Sequence, residues 1–514
     1  MTRRNDDIRA ALEFHAATRY WRVEGDGDAR IAMGTPPDLE PAIWEEDRSL
    51  EPYPFKVYET LEPIGLPRSF APSSVPALLA LSAPGSDGAG LPDRALLARI
   101  GLLSNGLLDR TVTVRDTVIT YRTAGGTGAR YHLELYFVCA DLPDLPAGVY
   151  QYSALDHSLR QVRAGDVRAA LGVEAPVVMA VTSTFWRNAW RYKARAYRHA
   201  LWDAGTSLSQ ALAVAASGGV PASLVLGFAD GAVNDVLGVD GVREAAVALC
   251  ALGRGGPPAP EVAKPAPVDL PVRPVSPREV EFPAIGAMHG ASSLATADEV
   301  AAWRSAGPAA EPKPTPSGPL VPLDPLPDDA VPPEPVEDVI PRRRSTRRYD
   351  TAAELSFRDF STLLDRSSRA FAADALPPLD CYLIVHAVEG LTPGVYLHHP
   401  SSGAVELLRA GDFRADSARI AVGQSYCAEA HVNAYWLADL RPLLERYGNR
   451  GYRAAQLVSA LRAGKLHLGA HTLGLGACGS TSADDEVVEF FSPHATGKSY
   501  LFVTVFGVRR PARR

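Results

Sequence analysis

The sequence predicts an α+β fold that is duplicated within one chain, and three observations carry that prediction. A proline-rich stretch divides the 514 residues into halves of comparable weight. The halves repeat one another in order: residues 145–168, LPAGVYQYSALDHSLRQVRAGDVR, align without a gap to residues 391–414, LTPGVYLHHPSSGAVELLRAGDFR. Each half also reads alike in coarse periodicity, with paired strands, a long helix and a closing strand. The offset, 391 − 145 = 246, further pairs Glu134 with Asp380 and Tyr136 with Tyr382, and RYKARAYR (191–198) answers RYGNRGYR (446–453).

Residues 1–70 form an N-terminal arm that opens with the charged, amphipathic MTRRNDDIRAALEFHAATRY, outside the repeat. The arm has no apolar leader, and no run of about 18 apolar residues follows anywhere, so the expectation is a cytoplasmic protein without a membrane span. In residues 71–254, YHLELYFVCA reads as a strand leading through Gly-Val-Tyr into a second strand. RAYRHALWDAGTSLSQALAVAASGG then reads as a helix closing at glycine, and EAAVALCALG as the last strand. Residues 255–341 are rich in proline and small residues and read as an extended linker, with EFPAIGAMHGASSLATADEVAAWR docking as one short helix. Residues 342–514 repeat the pattern with LDCYLIVHAV, GYRAAQLVSALRAGKLHLGAHTLGLG and SYLFVTVFGV. A covalent pseudo-dimer is the implied architecture, as a monomer or a higher oligomer.

Hydrophobic residues at 46% and charged residues at 22% suit domains with real cores. A net charge of −7 argues against general nucleic-acid binding. Within that acidic chain, RRRSTRRYD (342–350) packs five arginines around a serine and a threonine, which suits a local anion. The five cysteines are scattered, with no Cys-x-x-Cys pair, and read as reduced thiols. His199/Asp203 and His467/His471 have i, i+4 spacing, but no third ligand converges on either, so no metal site is expected.

RRSTRRYD, YLIVH, PGVY, RYGNRGYR, LGLGAC and the C-terminal FGVRR, in that order, resemble the nitroreductase-like flavoenzymes, and more narrowly the SagB/ThcOx group of FMN-dependent azoline dehydrogenases. The N-terminal half is similar to the same group through LEFHAATRY, YPFKVYETLEPIGLP, WRYKARAYRHALWDAG and LVLGFADGAVNDVLGVDGVREA. The resemblance implies two tandem nitroreductase-like domains with FMN at their interface. Its Arg-x-Ser-x-Arg phosphate motif falls on Arg343, Ser345 and Arg347, with Arg509 or Arg510 as the terminal partner. The small-residue turn beneath the flavin ring falls on RTAGGTGA, giving Arg122, Gly126, Gly128 and Ala129, although Gly125 and Gly126 replace the usual Pro-Ser. In LGLGACGSTS, Gly476, Cys478 and Gly479 would present backbone N–H groups to the flavin edge, a helix C-cap at Gly474 and Gly476 being the plainer reading. Lys465 stands where relatives carry an amide and would reach the ribityl or pyrimidine edge.

Each half keeps what the other lacks. RAFAADALPPLDCY (369–382) has no glycines and carries Asp374, while the N-terminal half has LLARIGLLSNGLLDR in place of a phosphate motif. The expectation is therefore one FMN per chain. Relatives use a Lys-Tyr pair as base, and here both copies carry arginine: Arg191-Tyr192 and Arg446-Tyr447. Arginine stays protonated, which leaves Tyr192 and Tyr447 as base candidates, with Lys193 one residue beyond. The resemblance implies an FMN-dependent dehydrogenase that oxidises a peptide- or carrier-bound azoline to an azole, in company with heterocyclase or other biosynthetic partners. The alternatives are an NAD(P)H-dependent reductase and a non-catalytic scaffold.

Overall fold

The structure is a computed structural model that describes residues 4–23, 30–42, 47–85, 88–114, 117–255, 258–260, 265–309 and 314–511. Two seven-stranded sheets share one order. The first runs Ala222–Val225, Glu244–Leu252, Val177–Thr184, Leu133–Cys139, Gly148–Ser153, Ser158–Ala164 and Pro63–Gly65. The second runs Gly476–Ser480, Ser499–Gly507, Val432–Ala438, Asp380–Val385, Gly394–His399, Ala404–Ala410 and Leu320–Pro322. All of these neighbours pair antiparallel. The central strands are buried on both faces: every residue of Leu133–Cys139 and Val432–Ala438 is buried.

The helices predicted to close at glycine do so. Ala196–Ser217 stops at Gly218, and Asn449–Thr472 is followed by Gly474 in the left-handed region. These two core helices pack against each other at the middle of the molecule. Two glycines let the backbones approach: a Cβ on Gly205 would lie 2.3 Å from the Leu457 carbonyl oxygen, and one on Gly464 would lie 2.4 Å from Ser209 Oγ. One buried apolar cluster consequently runs through both halves, joining Leu208 and Val214 to Leu457, Leu461 and Leu466. The halves are two lobes of one core.

Two buried ion clusters repeat the same symmetry across the interface. Arg195, at the N-cap of the first core helix, and Arg198 within it hold Asp484 of the C-terminal half; Arg450 and Arg453 of the second hold Asp230 of the N-terminal half. Burial alone would raise both carboxyls, but the paired guanidinium groups outweigh it and hold each at about 2.

The arm and the proline-rich stretch are more alike, and more structured, than their composition suggests. Helix Arg9–Ala17 docks on the C-terminal half, with Ala11 N–H donating to Asn449 Oδ1 (3.0 Å) and His15 Nδ1 3.3 Å from Tyr452 Oη. Helix Pro283–Ala291 docks reciprocally, with His289 Nδ1 3.2 Å from Tyr197 Oη. The two arms thus cross between lobes. Instead of one helix, the segment carries a second, Ala297–Ser305, because Thr296 caps it by accepting from Glu299 N–H while Glu299 accepts from Ala295 N–H. Leu320–Pro322 adds an edge strand to the second sheet, as Pro63–Gly65 does to the first.

Candidate functional site

A cavity lies where the two core helices, the glycine-rich turn 125–128 of the N-terminal half and the strand Gly476–Ser480 of the C-terminal half meet. Of the residues singled out from sequence, Gly126, Gly128, Tyr192, Ser345, Arg347, Cys478 and Gly479 line it. They come from both halves and are more than 350 residues apart at the extremes (479 − 126 = 353).

The turn is held by Asp203, whose carboxylate accepts from Thr127 N–H (2.8 Å), Thr127 Oγ1 (2.8 Å) and His132 Nε2 (2.9 Å). Gly128 has φ +62°, and a Cβ there would sit 2.4 Å from Tyr192 Oη. Ala129 and Tyr131 also have positive φ, at 55° and 44°. Non-glycine residues adopt that region only at a cost of about 1–2 kcal/mol, so this turn stores strain where functional sites often do.

On the opposite wall the basic segment threads between two neighbours. Ser345 bridges to Ala477, Thr346 N–H donates to the Ala477 carbonyl (2.9 Å), and Tyr349 bridges to Arg509. His467 Nε2 donates to the Arg344 carbonyl and His471 Nε2 accepts from Arg344 N–H, so this i, i+4 pair grips the segment. Among the described residues no group of three His, Cys, Asp or Glu side chains is arranged for a metal. Arg347 and Ser345 are exposed at the cavity, and Arg343 is buried beneath it. Arg343 Nε donates to the Thr123 carbonyl (2.9 Å), and its Nη1, without a hydrogen-bond partner among the described residues, lies 3.8 Å from where a Gly125 Cβ would be. Burial, unrelieved by a carboxylate, pulls its pKa down to about 10. An anion close to this wall would supply the missing countercharge. Thr481 Oγ1, also on the cavity wall, is another buried polar atom without a hydrogen-bond partner among the described residues. The Cys478 thiol is pushed up by burial, so it stays protonated.

Other residues named from sequence lie elsewhere. Arg122 is tied to Asn105 Oδ1 and the Pro54 carbonyl (2.8 Å each), bracing the foot of the turn. It and Ala129 face a neighbouring cleft. Gly476 provides room for Thr346, 2.5 Å from its would-be Cβ. Lys465 points from the second core helix towards the Phe371 ring (4.9 Å), where burial and nearby arginines bring its pKa to about 7. Lys193 pairs with Glu40. Arg446 and Tyr447 lie on the far side, donating to the carbonyls of Ala306 and Gly307. Tyr192 is the one tyrosine of the two Arg-Tyr pairs at the cavity, and burial raises its pKa, with Arg191 only partly opposing.

Sequence reasoning named His199, Asp203 and His467 only for their i, i+4 spacing and did not place them, Trp202 or Tyr20 at the cavity. His199 and Trp202 belong to a helix apolar enough to read as core, and Tyr20 arrives from the arm.

The pseudo-symmetric location is filled by the chain itself. Aligning Tyr197 with Tyr452 places Ala454, Leu457, Val458 and Leu461 where the cavity has His199, Trp202, Asp203 and Thr206, and all four are buried in the core. Aligning strand Ala222–Val225 with Gly476–Ser480 places Leu226 and Gly227 opposite Ser480 and Thr481. Both of those N–H groups donate to the Asp374 carboxylate (2.8 Å each), and Ala373 bridges to Leu224. Phe371 and Asp374 plug the second location.

A family model described as the nitroreductase family matches residues 138–254 and 340–505. A crystal structure from Anabaena variabilis bearing a nitroreductase name superposes with a TM-score of 0.70 at 23% identity, covering 91% of this chain and 96% of that one. A similarly named protein of Methanocaldococcus jannaschii is 29% identical over 150 residues, which is 27% of this chain and 75% of that protein. The Escherichia coli microcin synthetase McbBCD complex with truncated pro-MccB17 bound matches at 18% identity over 37% of this chain and 71% of that one, with a TM-score of 0.28, too low to bear on function.

Proposed function

The chain belongs to the nitroreductase family, and from that premise we propose that it holds one FMN in the cavity between its halves and works as an FMN-dependent dehydrogenase. The observation that carries this reading is the asymmetry: one location has the cationic segment, the glycine turn and unpartnered polar atoms around a cavity, and its pseudo-symmetric counterpart is filled by Phe371, Asp374 and four apolar side chains.

The donor set fits the group. Arg347 and Ser345 would take the phosphate, with Arg343 supplying buried positive charge behind them, since guanidinium and hydroxyl donors suit phosphate oxygens. The turn Gly125–Gly128 would lie against the flat ring, where side chains would intrude. Gly479 and Thr481 would offer donors at its edge. FMN, when bound, supplies hydride acceptance. This chain's residues bind and orient it, and the aromatic side chains Trp202, Tyr192 and Phe502 limit water at the reacting face.

For substrate, we propose a peptide- or carrier-bound azoline or similar C–N bond oxidised to the aromatic azole, supported by the ordered motifs RRSTRRYD, PGVY, RYGNRGYR and FGVRR. Heterocyclase or related biosynthetic proteins are the proposed partners, because such a substrate must first be cyclised. Among the described residues no helix is long and apolar enough to cross a membrane. The test is anaerobic bleaching of the bound flavin. A thiazoline-containing peptide should bleach it while NADPH does not; bleaching by NADPH alone would turn the assignment to a reductase.

A further inference from the structure

Of the base candidates named from sequence, Tyr192 is kept protonated by burial, Lys193 pairs with Glu40 and Tyr447 lies away from the cavity, so the dehydrogenase reading lacks a proton acceptor. We propose that His199, through its Nε2 lone pair, is that acceptor; the proposal rests on the flavin reading above.

A chain of hydrogen bonds settles which nitrogen is free. The Thr127 carbonyl can only accept, and Asn188 Nδ2 donates to it at 3.3 Å. Asn188 therefore turns Oδ1 towards His199 Nδ1, 2.7 Å away. Oδ1 can only accept, so Nδ1 carries the proton and Nε2 bears a lone pair. Nε2 has no hydrogen-bond partner among the described residues, and the ring lines the cavity. The imidazole is held rigidly, edge to the Tyr192 ring at 4.8 Å and tilted over Trp202 at 5.1 Å. Trp202 is itself anchored across the interface, its Nε1 donating to Gln456 Oε1 at 2.6 Å. The same Thr127 that positions Asn188 is fixed by Asp203, so the turn and the base are placed by one network.

The charged and titratable groups around the ring are Arg198 and Asp203 on its own helix, Arg195 at that helix's N-cap, His132 beside the first sheet, Tyr192 on the preceding helix and Tyr20 on the arm. Burial, then Arg195, His132 and Arg198, keep His199 well below the usual histidine value, so the lone pair is available throughout the neutral range. Tyr192 is shifted in the opposite direction and stays protonated there.

The step balances for an azoline. The ring carbon next to nitrogen would give its proton to His199 Nε2, the adjacent ring carbon would give up a hydride, the acceptance of which is the chemistry bound FMN would supply, and a carbon–carbon double bond would complete the azole. Dioxygen would accept the hydride equivalent and that proton as hydrogen peroxide, which would leave His199 neutral again.

The test uses the full chain with ring-15N-labelled histidine, the His199 signal being assigned by its loss in His199→Gln. The expected result is a neutral Nδ1–H tautomer from pH 6.5 to 8 whose Nε2 signal shifts when FMN is added. An Nε2–H tautomer, an imidazolium, or an Nε2 signal indifferent to bound FMN would overturn the proposal. A wild-type protein that takes up no FMN at saturation overturns the flavin reading instead, leaving the tautomer intact. With a thiazoline peptide that bleaches the wild type, His199→Gln should slow bleaching per bound FMN by at least about 100-fold, with dithionite bleaching both alike. Bleaching within threefold of wild type would also overturn it.

Discussion

The two arginines of the proposed phosphate site have different surroundings. Arg343 is buried and braces the Thr123 carbonyl across the interface, while Arg347 stands exposed at the cavity. A charge-assisted hydrogen bond contributes about 1.5–3 kcal/mol, so Arg347→Ala should weaken FMN binding roughly ten- to hundred-fold without moving the melting temperature. Arg343→Ala should lower both. Fluorescence titration with FMN beside a thermal melt checks the pair, and equal behaviour of the two variants would contradict the division. Buried histidines set the acid limit. Burial brings His289 and His398 to about 3, against about 6.5 unfolded. Between those values the unfolded chain binds the extra proton, so their stabilisation is complete above pH 6.5 and lost as pH falls, by up to about 1.4 kcal/mol per pH unit per histidine. Urea midpoints at pH 7.5, 6 and 5 should therefore decrease in that order.

At the scale of elements, the crossed ion clusters hold the two core helices to the opposite lobes. Asp484→Asn leaves Arg195 and Arg198 buried without countercharge, and removing one partner of such a cluster costs about 3–5 kcal/mol. Chemical unfolding should show that loss in the midpoint with an unchanged slope. The elements were legible in the sequence where local pattern and tertiary burial agree: YHLELYFVCA and SYLFVTVFGV are apolar enough to be nothing but inner strands, and glycines mark both long helices' ends. The arms were not. Their equivalence is hidden because His15 and His289 are 274 residues apart while Gly148 and Gly394 of the sheets are offset by 246 and Tyr197 and Tyr452 of the core helices by 255, insertions having shifted the register. Composition also misled over residues 255–341, whose prolines flank helices and an edge strand instead of preventing them.

At the scale of the whole molecule, duplication followed by divergence explains what was legible in the site. Gly126, Gly128, Ser345, Arg347, Cys478 and Gly479 sit in motifs whose residue types match what they would bind, so local reading found them. Symmetry then offered Arg446 and Tyr447 equally with Arg191 and Tyr192, and only three-dimensional placement separates the pairs, because the cavity exists on one side. His199 escaped because a histidine inside an apolar helix has the pattern of a core residue; its partner Asn188 lies eleven residues away on another helix. Asp374 and Phe371 turn the second location into packing, which leaves, among the described residues, one candidate site of this kind assembled from both lobes.

The central claim is tested most directly by the molar ratio of FMN to chain in protein saturated with FMN and freed of excess. The asymmetric cavity predicts a ratio of one, unchanged in Asp374→Ala and lost in the Arg343→Ala, Arg347→Ala double variant. A ratio near two would show that the plugged location binds flavin after all, and a ratio near zero would contradict the flavin site itself.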